Sequence, residues 1–197
     1  MHGAGVWLAA IDGLDDARIA SYEAWLGAGE RARTFVRPGR RRQFVAARAL
    51  LRIAIGSLLD VAPSSVELGG QSGRAPWLIA PEVPLPGLSV SHSGRWVACA
   101  ISTSTALGLD IEVKDAGRDI DALAGQAFDG ATCAQLLALP AGARRDAFYS
   151  AWSGQEARIK LGMAAGGCYE LPHGELAVVV CSADALAGEP RVVEYSL

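Results

Sequence analysis

Leu109, Ile111 and Val113 alternate with Gly108, Asp110 and Glu112, the two-residue period of a half-buried β-strand. Similar patterning predicts a first strand over 6–11, ended by Asp12-Gly13, and a short helix over 17–27. From 41 to 59, Phe44, Ala47, Leu51, Ile55 and Leu58 recur at three- and four-residue spacing, which predicts an amphipathic helix with Arg41, Arg48 and Arg52 along one flank. Pro63 closes that region and 66–68 reads as a short strand. The stretch 69–86 is loop-rich, with Gly73-Arg74-Ala75-Pro76 as a turn before Trp77-Leu78-Ile79. Three consecutive strands follow over 88–92, 96–102 and 106–113, with Ser93-Gly94 turning the first into the second. Two helices over 119–139 and 144–162 come next, and the apolar runs at 178–180 and 192–195 predict a closing hairpin. Strands in clusters beside segregated helices give an α+β class. No sequence repeat or low-complexity segment interrupts the chain.

Composition bounds the answer. A chain of 197 residues that is 51% hydrophobic and 20% charged can fold around one sizeable core or two small lobes, and is not disordered material. No apolar run approaches the ~18 residues of a membrane span. The start Met1-His2-Gly3-Ala4-Gly5 lacks a basic segment leading into an apolar one, so a soluble cytoplasmic protein is expected. Cys99, Cys133, Cys168 and Cys181 show no CxxC spacing and lie among apolar or small residues; reduced core thiols are expected rather than a metal site or disulfides.

Charge changes the picture. The net charge of −3 hides eight arginines between 30 and 59 (Arg31, Arg33, Arg37, Arg40, Arg41, Arg42, Arg48, Arg52), with only Glu30 and Asp60 at the edges. Such a block suits an anionic cofactor, an acidic protein or nucleic acid, or is simply a solvated basic face. The acidic excess elsewhere argues against nucleic acid. Only two lysines occur, Lys114 and Lys160, so their positions carry information.

On a pleated strand the Asp110 and Glu112 carboxylates point to one face, with Cα atoms roughly 6–7 Å apart. Like charges so close repel unless a positive group lies between them. A hard divalent cation, Mg²⁺ or Mn²⁺, fits that role, and a solvated acidic strand end is the other reading. On the helix over 144–162, Phe148, Trp152 and Ile159 line one face with Gln155 in the stripe, while Glu156 and Lys160 lie one turn apart on the adjacent flank. As a surface pair they would contribute only ~0.2–0.5 kcal/mol. Packed against the strand, Glu156 would be a third carboxylate and Lys160 a point charge for phosphate. His92, in Ser89-Val90-Ser91-His92-Ser93 and followed by Arg95, is either a structural strand-end histidine or a phosphate donor. The chain has no Gly-x-Ser-x-Gly elbow, no Gly-x-Gly-x-x-Gly fingerprint and no Walker loop.

Five segments run in a fixed order: Phe44-Val45-Ala46-Ala47-Arg48-Ala49-Leu50-Leu51-Arg52; Gly73-Arg74 with Pro76; Ser91-His92-Ser93-Gly94-Arg95-Trp96-Val97; Gly108-Leu109-Asp110-Ile111-Glu112; and Trp152-Ser153-Gly154-Gln155-Glu156-Ala157-Arg158-Ile159-Lys160. Together they resemble the Sfp-type 4′-phosphopantetheinyl transferases, in their compact subgroup, over residues 44–160. Each alone is weak; the last three in this spacing are specific. The resemblance implies a pseudo-dimer of two similar α+β lobes, 1–104 and 105–197, the second carrying the metal-binding acids, with coenzyme A between them. It also implies Mg²⁺-dependent transfer of 4′-phosphopantetheine from coenzyme A to a serine of an acyl or peptidyl carrier protein, releasing adenosine 3′,5′-bisphosphate. By position, Asp110, Glu112 and Glu156 would hold the metal, with Mn²⁺ as the alternative ion. Asp110, Glu156 and Lys160 would be catalytic, and Arg48, Arg74, Ser91, His92 and Lys160 would bind coenzyme A. The implied setting is polyketide or nonribosomal peptide biosynthesis by a cytoplasmic monomer with no nucleic-acid or membrane partner. Gln155 departs from the lysine that many members carry before the helix glutamate.

Two other readings compete with an active transferase. One is a non-catalytic descendant that binds coenzyme A or a carrier protein. The other ignores the resemblance and makes the carboxylates a metal-dependent phosphohydrolase, which leaves the arginine block without a purpose.

Overall fold

One plan, a strand, a long helix and a hairpin, is built twice. The computed structural model describes residues 3–71 and 73–197; Met1 and His2, from the N-terminal stretch read above, and Ser72, in the loop-rich segment, lie outside the described residues. The first copy is β1 (Ala4–Ala10), α3 (Pro38–Leu59) and the hairpin β4 (Gly87–Ser93) and β5 (Trp96–Ser102). The second is β6 (Leu107–Val113), α6 (Ala141–Leu161) and the hairpin β7 (Gly167–Leu171) and β8 (Leu176–Ser182). In each, the opening strand lies antiparallel to the second strand of its hairpin, giving orders β4-β5-β1 and β6-β8-β7. Short elements fill the connections: α1 (Asp16–Glu23), α2 (Ala28–Arg31), β2 (Glu67–Gly69), β3 (Trp77–Ala80), α4 (Ile120–Ala127) and α5 (Gly130–Leu137). The α+β expectation holds.

The two sheets pack between the two long helices. On one side of the first sheet, Val45, Leu50, Leu51 and Ile55 of α3 meet Val97, Cys99 and Ile101. The opposite face offers Val6, Leu8, Ala98 and Ala100, which pack on Leu109, Ile111, Val178 and Val180 of the second sheet. On the far side, Ala157 and Leu161 of α6 cover Val179 and Cys181. Val6, Leu51, Leu109 and Val180 are fully buried, so the alternation read from the sequence is the alternation between these layers.

Several boundaries differ from the pattern-based expectation, each for a local reason. The helix expected over 119–139 is two, because Asp129 leaves the helical conformation and its side chain caps α5 by accepting from the Thr132 N–H. The helix α3 starts at Pro38, whose missing N–H suits a first turn, and ends at Asp60 in the left-handed region (φ 55°). The buried face of α6 is Phe148, Tyr149, Ser153, Gly154, Ala157 and Leu161, not the stripe through Gln155 and Ile159, both of which are exposed. Small residues win there because they let the helix lie close to the sheet.

The closing hairpin is a correction. Residues 178–180 belong to β8, whose partners are β6 and β7, while β9 (Arg191–Glu194) crosses to the first sheet and pairs in parallel with β1. Period-two patterning marks a strand but not its partner. The intervening strand β7 escaped notice because its glycine start and mixed exposure dilute the pattern. Missing it also hid a disulfide: Cys168 and Cys181 stand directly opposite each other on β7 and β8 and are bonded, whereas Cys99 and Cys133 are free. No helix among the described residues is long and apolar enough to cross a membrane.

Candidate active site

Gly108 brings the catalytic candidates together by what it lacks. A Cβ built there would lie 2.0 Å from the Ala157 carbonyl oxygen and 2.6 Å from the Leu161 nitrogen, so only glycine lets α6 rest on β6. With Ala157 and Leu161 fixed against the strand, Lys160 reaches over the same face that carries Asp110. Its Nζ donates to Asp110 Oδ1 at 2.7 Å and to Ser91 Oγ at 2.9 Å. Ser91 Oγ in turn donates to Asp110 Oδ1 at 2.9 Å, and Ser93 Oγ donates to Glu112 Oε2 at 2.6 Å. Asp110 is only 5% exposed, and its second oxygen, Oδ2, is buried without a hydrogen-bond partner.

The electrostatics suit a cation. Burial pushes the Glu112 carboxyl above the ordinary carboxylate range, the Ser93 hydroxyl opposes this, and the neighbouring Asp110 charge adds to it. A buried orphan oxygen next to a second, half-buried carboxylate is the donor set that a hard divalent ion takes when it keeps its other positions for water or phosphate oxygens. The described residues offer no group of three His, Cys, Asp or Glu able to hold a metal ion. Glu156, half-buried on α6, joins no such group, and its side chain makes no hydrogen bond or ion pair among the described residues.

His92 sits beside Ser91 on β4 and links the acids to the arginines. Its Nδ1 lies 3.0 Å from Arg40 Nη1. Arginine can only donate, so Nδ1 accepts and the ring proton of the neutral imidazole is on Nε2. Burial lowers the His92 pKa and the Arg40 charge lowers it further. Arg40, with Arg37, Arg42, Gln43 and Arg95, lines an adjacent cleft of about 630 Å³.

Arg48 is not part of this cluster. It is 4% exposed inside the first core, with its guanidinium over the Phe44 ring and its Nε 3.5 Å from Glu30. Arg52 bonds the same carboxylate. Arg48 Nη1 is buried with no partner, and burial lowers the Arg48 pKa to about 10 against the pull of Glu30, with Arg52 and Arg33 adding to the fall. Arg74 is exposed and makes no ion pair among the described residues.

Two residues of consequence escaped the sequence reading. Glu30 had been only the edge of the arginine block, although two arginines one turn apart on an otherwise apolar helix face require a buried carboxylate. Ser93 had been only a turn residue, although Ser89, Ser91 and Ser93 alternate on one face of β4.

No protein-family profile matches the chain. Curated relatives do. The 4′-phosphopantetheinyl transferase HetI of Nostoc sp. is 29% identical over 149 residues, 74% of this chain and 62% of HetI. A putative 4′-phosphopantetheinyl transferase, slr0495 of Synechocystis sp., is 29% identical over 178 residues, 87% of this chain and 71% of that protein. The 4′-phosphopantetheinyl transferase Sfp of Bacillus subtilis is 33% identical over 112 residues, 56% of this chain and 47% of Sfp. The chain thus spans about half of Sfp and somewhat under two thirds of HetI. These relatives and the doubled strand–helix–hairpin plan make the chain similar to the 4′-phosphopantetheinyl transferases.

Proposed function

We propose that the protein moves 4′-phosphopantetheine from coenzyme A to a serine hydroxyl of an acyl or peptidyl carrier protein. The serine oxygen forms a bond to the phosphorus that bears pantetheine, the pyrophosphate bridge breaks, and adenosine 3′,5′-bisphosphate leaves. The observation that carries this reading is the joint presence of a buried, unpartnered Asp110 oxygen, Glu112 on the same face, and the Lys160 ammonium 2.7 Å from Asp110. Asp110 and Glu112 are the residues we assign to Mg²⁺, or Mn²⁺, with Glu156 the remaining acid of the expected set. The ion supplies charge neutralisation for pyrophosphate oxygens. Lys160 follows the phosphate on which charge grows, and Glu156 accepts the serine proton. His92, donating through Nε2, and the neighbouring arginine cleft bind nucleotide phosphates, with Arg74 and the free Arg48 Nη1 as further donors; Ser91, whose proton goes to Asp110, orients that carboxylate and the Lys160 ammonium beside it. The lobes are taken as 1–104 and 105–197, β9 returning to the first. A second copy of the plan within one chain supports a monomer, and a coenzyme A substrate supports a cytoplasmic setting in polyketide or nonribosomal peptide biosynthesis.

One observation favours a second reading. Glu156 completes no three-acid group with Asp110 and Glu112 among the described residues, and Gln155 is not a cation, as a coenzyme A- or carrier-binding descendant without catalysis would allow. Incubation with coenzyme A, Mg²⁺ and apo carrier protein, followed by intact mass, decides. A phosphopantetheine adduct supports the transferase; unchanged carrier in a panel of carriers, with coenzyme A still bound, supports the descendant.

A further inference from the structure

β6 lies at the edge of its sheet, so the N–H groups on its free side need partners that its own sheet cannot give. The neighbouring strand β4 supplies them from side chains. Leu109 N–H donates to Ser89 Oγ at 2.9 Å, Ile111 N–H to Ser91 Oγ at 3.3 Å and Val113 N–H to Ser93 Oγ at 3.1 Å. The offset is 20 residues each time, so the strands run in the same direction with the hydroxyls as rungs. A hydroxyl that accepts from an N–H still has one proton to give. Ser91 gives it to Asp110 and Ser93 gives it to Glu112, in each case the residue just before the one whose N–H it accepts. Ser89 has no such partner, because the residue in that place is Gly108.

We propose that Ser93 is a positioning residue for Glu112, the last rung of a hydroxyl ladder that joins the two sheets and orients the carboxylates of β6. Both ends of the Ser93 hydroxyl are committed, which holds Glu112 Oε2 toward β4 and leaves Oε1 outside the ladder. The ladder makes the spacing of the two sheets and the direction of the carboxylates a single quantity. Its bearing on cation binding rests on the reading given under Proposed function; its bearing on the joint and on the Glu112 side chain does not.

Three variants separate these roles: Ser93→Ala, Ser93→Thr and Ser89→Ala. Amide hydrogen exchange is measured at Leu109, Ile111 and Val113, the Glu112 side chain is located in crystals, and Mn²⁺ affinity is taken by calorimetry. Ser93→Ala is expected to speed exchange at Val113 by about tenfold or more, to release the Glu112 carboxylate from β4, and to weaken Mn²⁺ about tenfold. Ser93→Thr keeps the hydroxyl and restores all three. Ser89→Ala speeds exchange at Leu109 alone and leaves Mn²⁺ affinity within about twofold. Unchanged Val113 exchange or an unmoved Glu112 in Ser93→Ala overturns the proposal, as does an equal loss of Mn²⁺ in Ser89→Ala. If the parent protein binds no Mn²⁺, the metal reading fails, while exchange and the Glu112 position still decide the role of Ser93.

Discussion

Lys160 Nζ stands 2.7 Å from Asp110 Oδ1, so a cation on α6 and a carboxylate on β6, fifty residues apart in sequence, form one ion pair across the candidate site. The lysine end is 32% exposed and the aspartate end 6%. Such a pair is asymmetric: the ammonium can turn to water, whereas the carboxylate has nowhere else to go. Lys160 is therefore the partner free to leave, as its proposed role toward a phosphate requires.

Asp110→Asn keeps the side chain's shape and removes its charge. Transfer to a carrier protein is expected to fall by at least about a hundredfold, near 2.7 kcal/mol in the barrier, because a charge facing the pyrophosphate is lost. The melting temperature should shift by only a few degrees, since Lys160 can be resolvated. Turnover within about threefold of the parent at saturating Mg²⁺ would remove Asp110 from the catalytic set.

Gly108→Ala tests the close approach of helix and strand. A methyl group 2.0 Å from the Ala157 carbonyl oxygen must push α6 away from β6. Urea titration should give a loss of about 1–3 kcal/mol or more, and the displaced Lys160 should lower kcat in the fraction that stays folded. Parent-like stability together with parent-like kcat is the outcome that contradicts this packing.

Arg48 and Arg52 share Glu30, yet they are not equivalent. Arg52→Met leaves the buried carboxylate with the Gly27 N–H and the longer Arg48 contact but no close cation, for an expected cost of about 3–5 kcal/mol. Arg48→Met removes an unpartnered donor along with an ion pair, and should cost less, about 1–2 kcal/mol. Equal destabilisation in chemical denaturation would mean that Arg48 carries as much of the buried charge as Arg52.

His92 gives a pH signature. Its folded pKa is depressed below the ordinary 6.5, so below that value the unfolded chain takes a proton that the native site resists. Stability is therefore full above about pH 6.5 and falls as pH drops through the interval down to the folded pKa. Comparing the parent with His92→Gln over this range isolates the contribution. The parent curve should lose stability on acidification relative to the variant, and parallel curves count against a neutral, half-buried His92.

The hairpin at 87–102, the strand over 107–113 and the helix α3 were legible because burial on one side imposes a period that side chains must obey. Asp110, Lys160 and Ser91 were legible as chemistry for a related reason: charges and hydroxyls at regular spacing on the polar side have few structural uses. The rest depended on pairings that no periodicity encodes. The parallel partner of β9, the Cys168–Cys181 bond and the match of Glu30 to two arginines are contacts between distant segments. Glu156 illustrates a different limit, since helix geometry put it beside Lys160 without saying how far it stands from the strand. The apolar stripe through Gln155 misled because small residues, which carry little hydrophobic signal, form the face that α6 buries.

The pairing of β9 with β1 has a consequence for how the protein is made. Gly5 lies opposite Arg191 in the same sheet, so the first sheet cannot gain its fourth strand until the segment around Arg191 has left the ribosome. Closing so long a loop is slow for topological reasons, although the entropy cost grows only with the logarithm of its length. A nascent chain can fold each strand–helix–hairpin unit from local pieces and then wait with the outer edge of β1 bare. An exposed strand edge invites pairing with other chains. A strand synthesised late thus acts as the cover for one synthesised early, and truncation after residue 182 would yield a protein prone to self-association through β1.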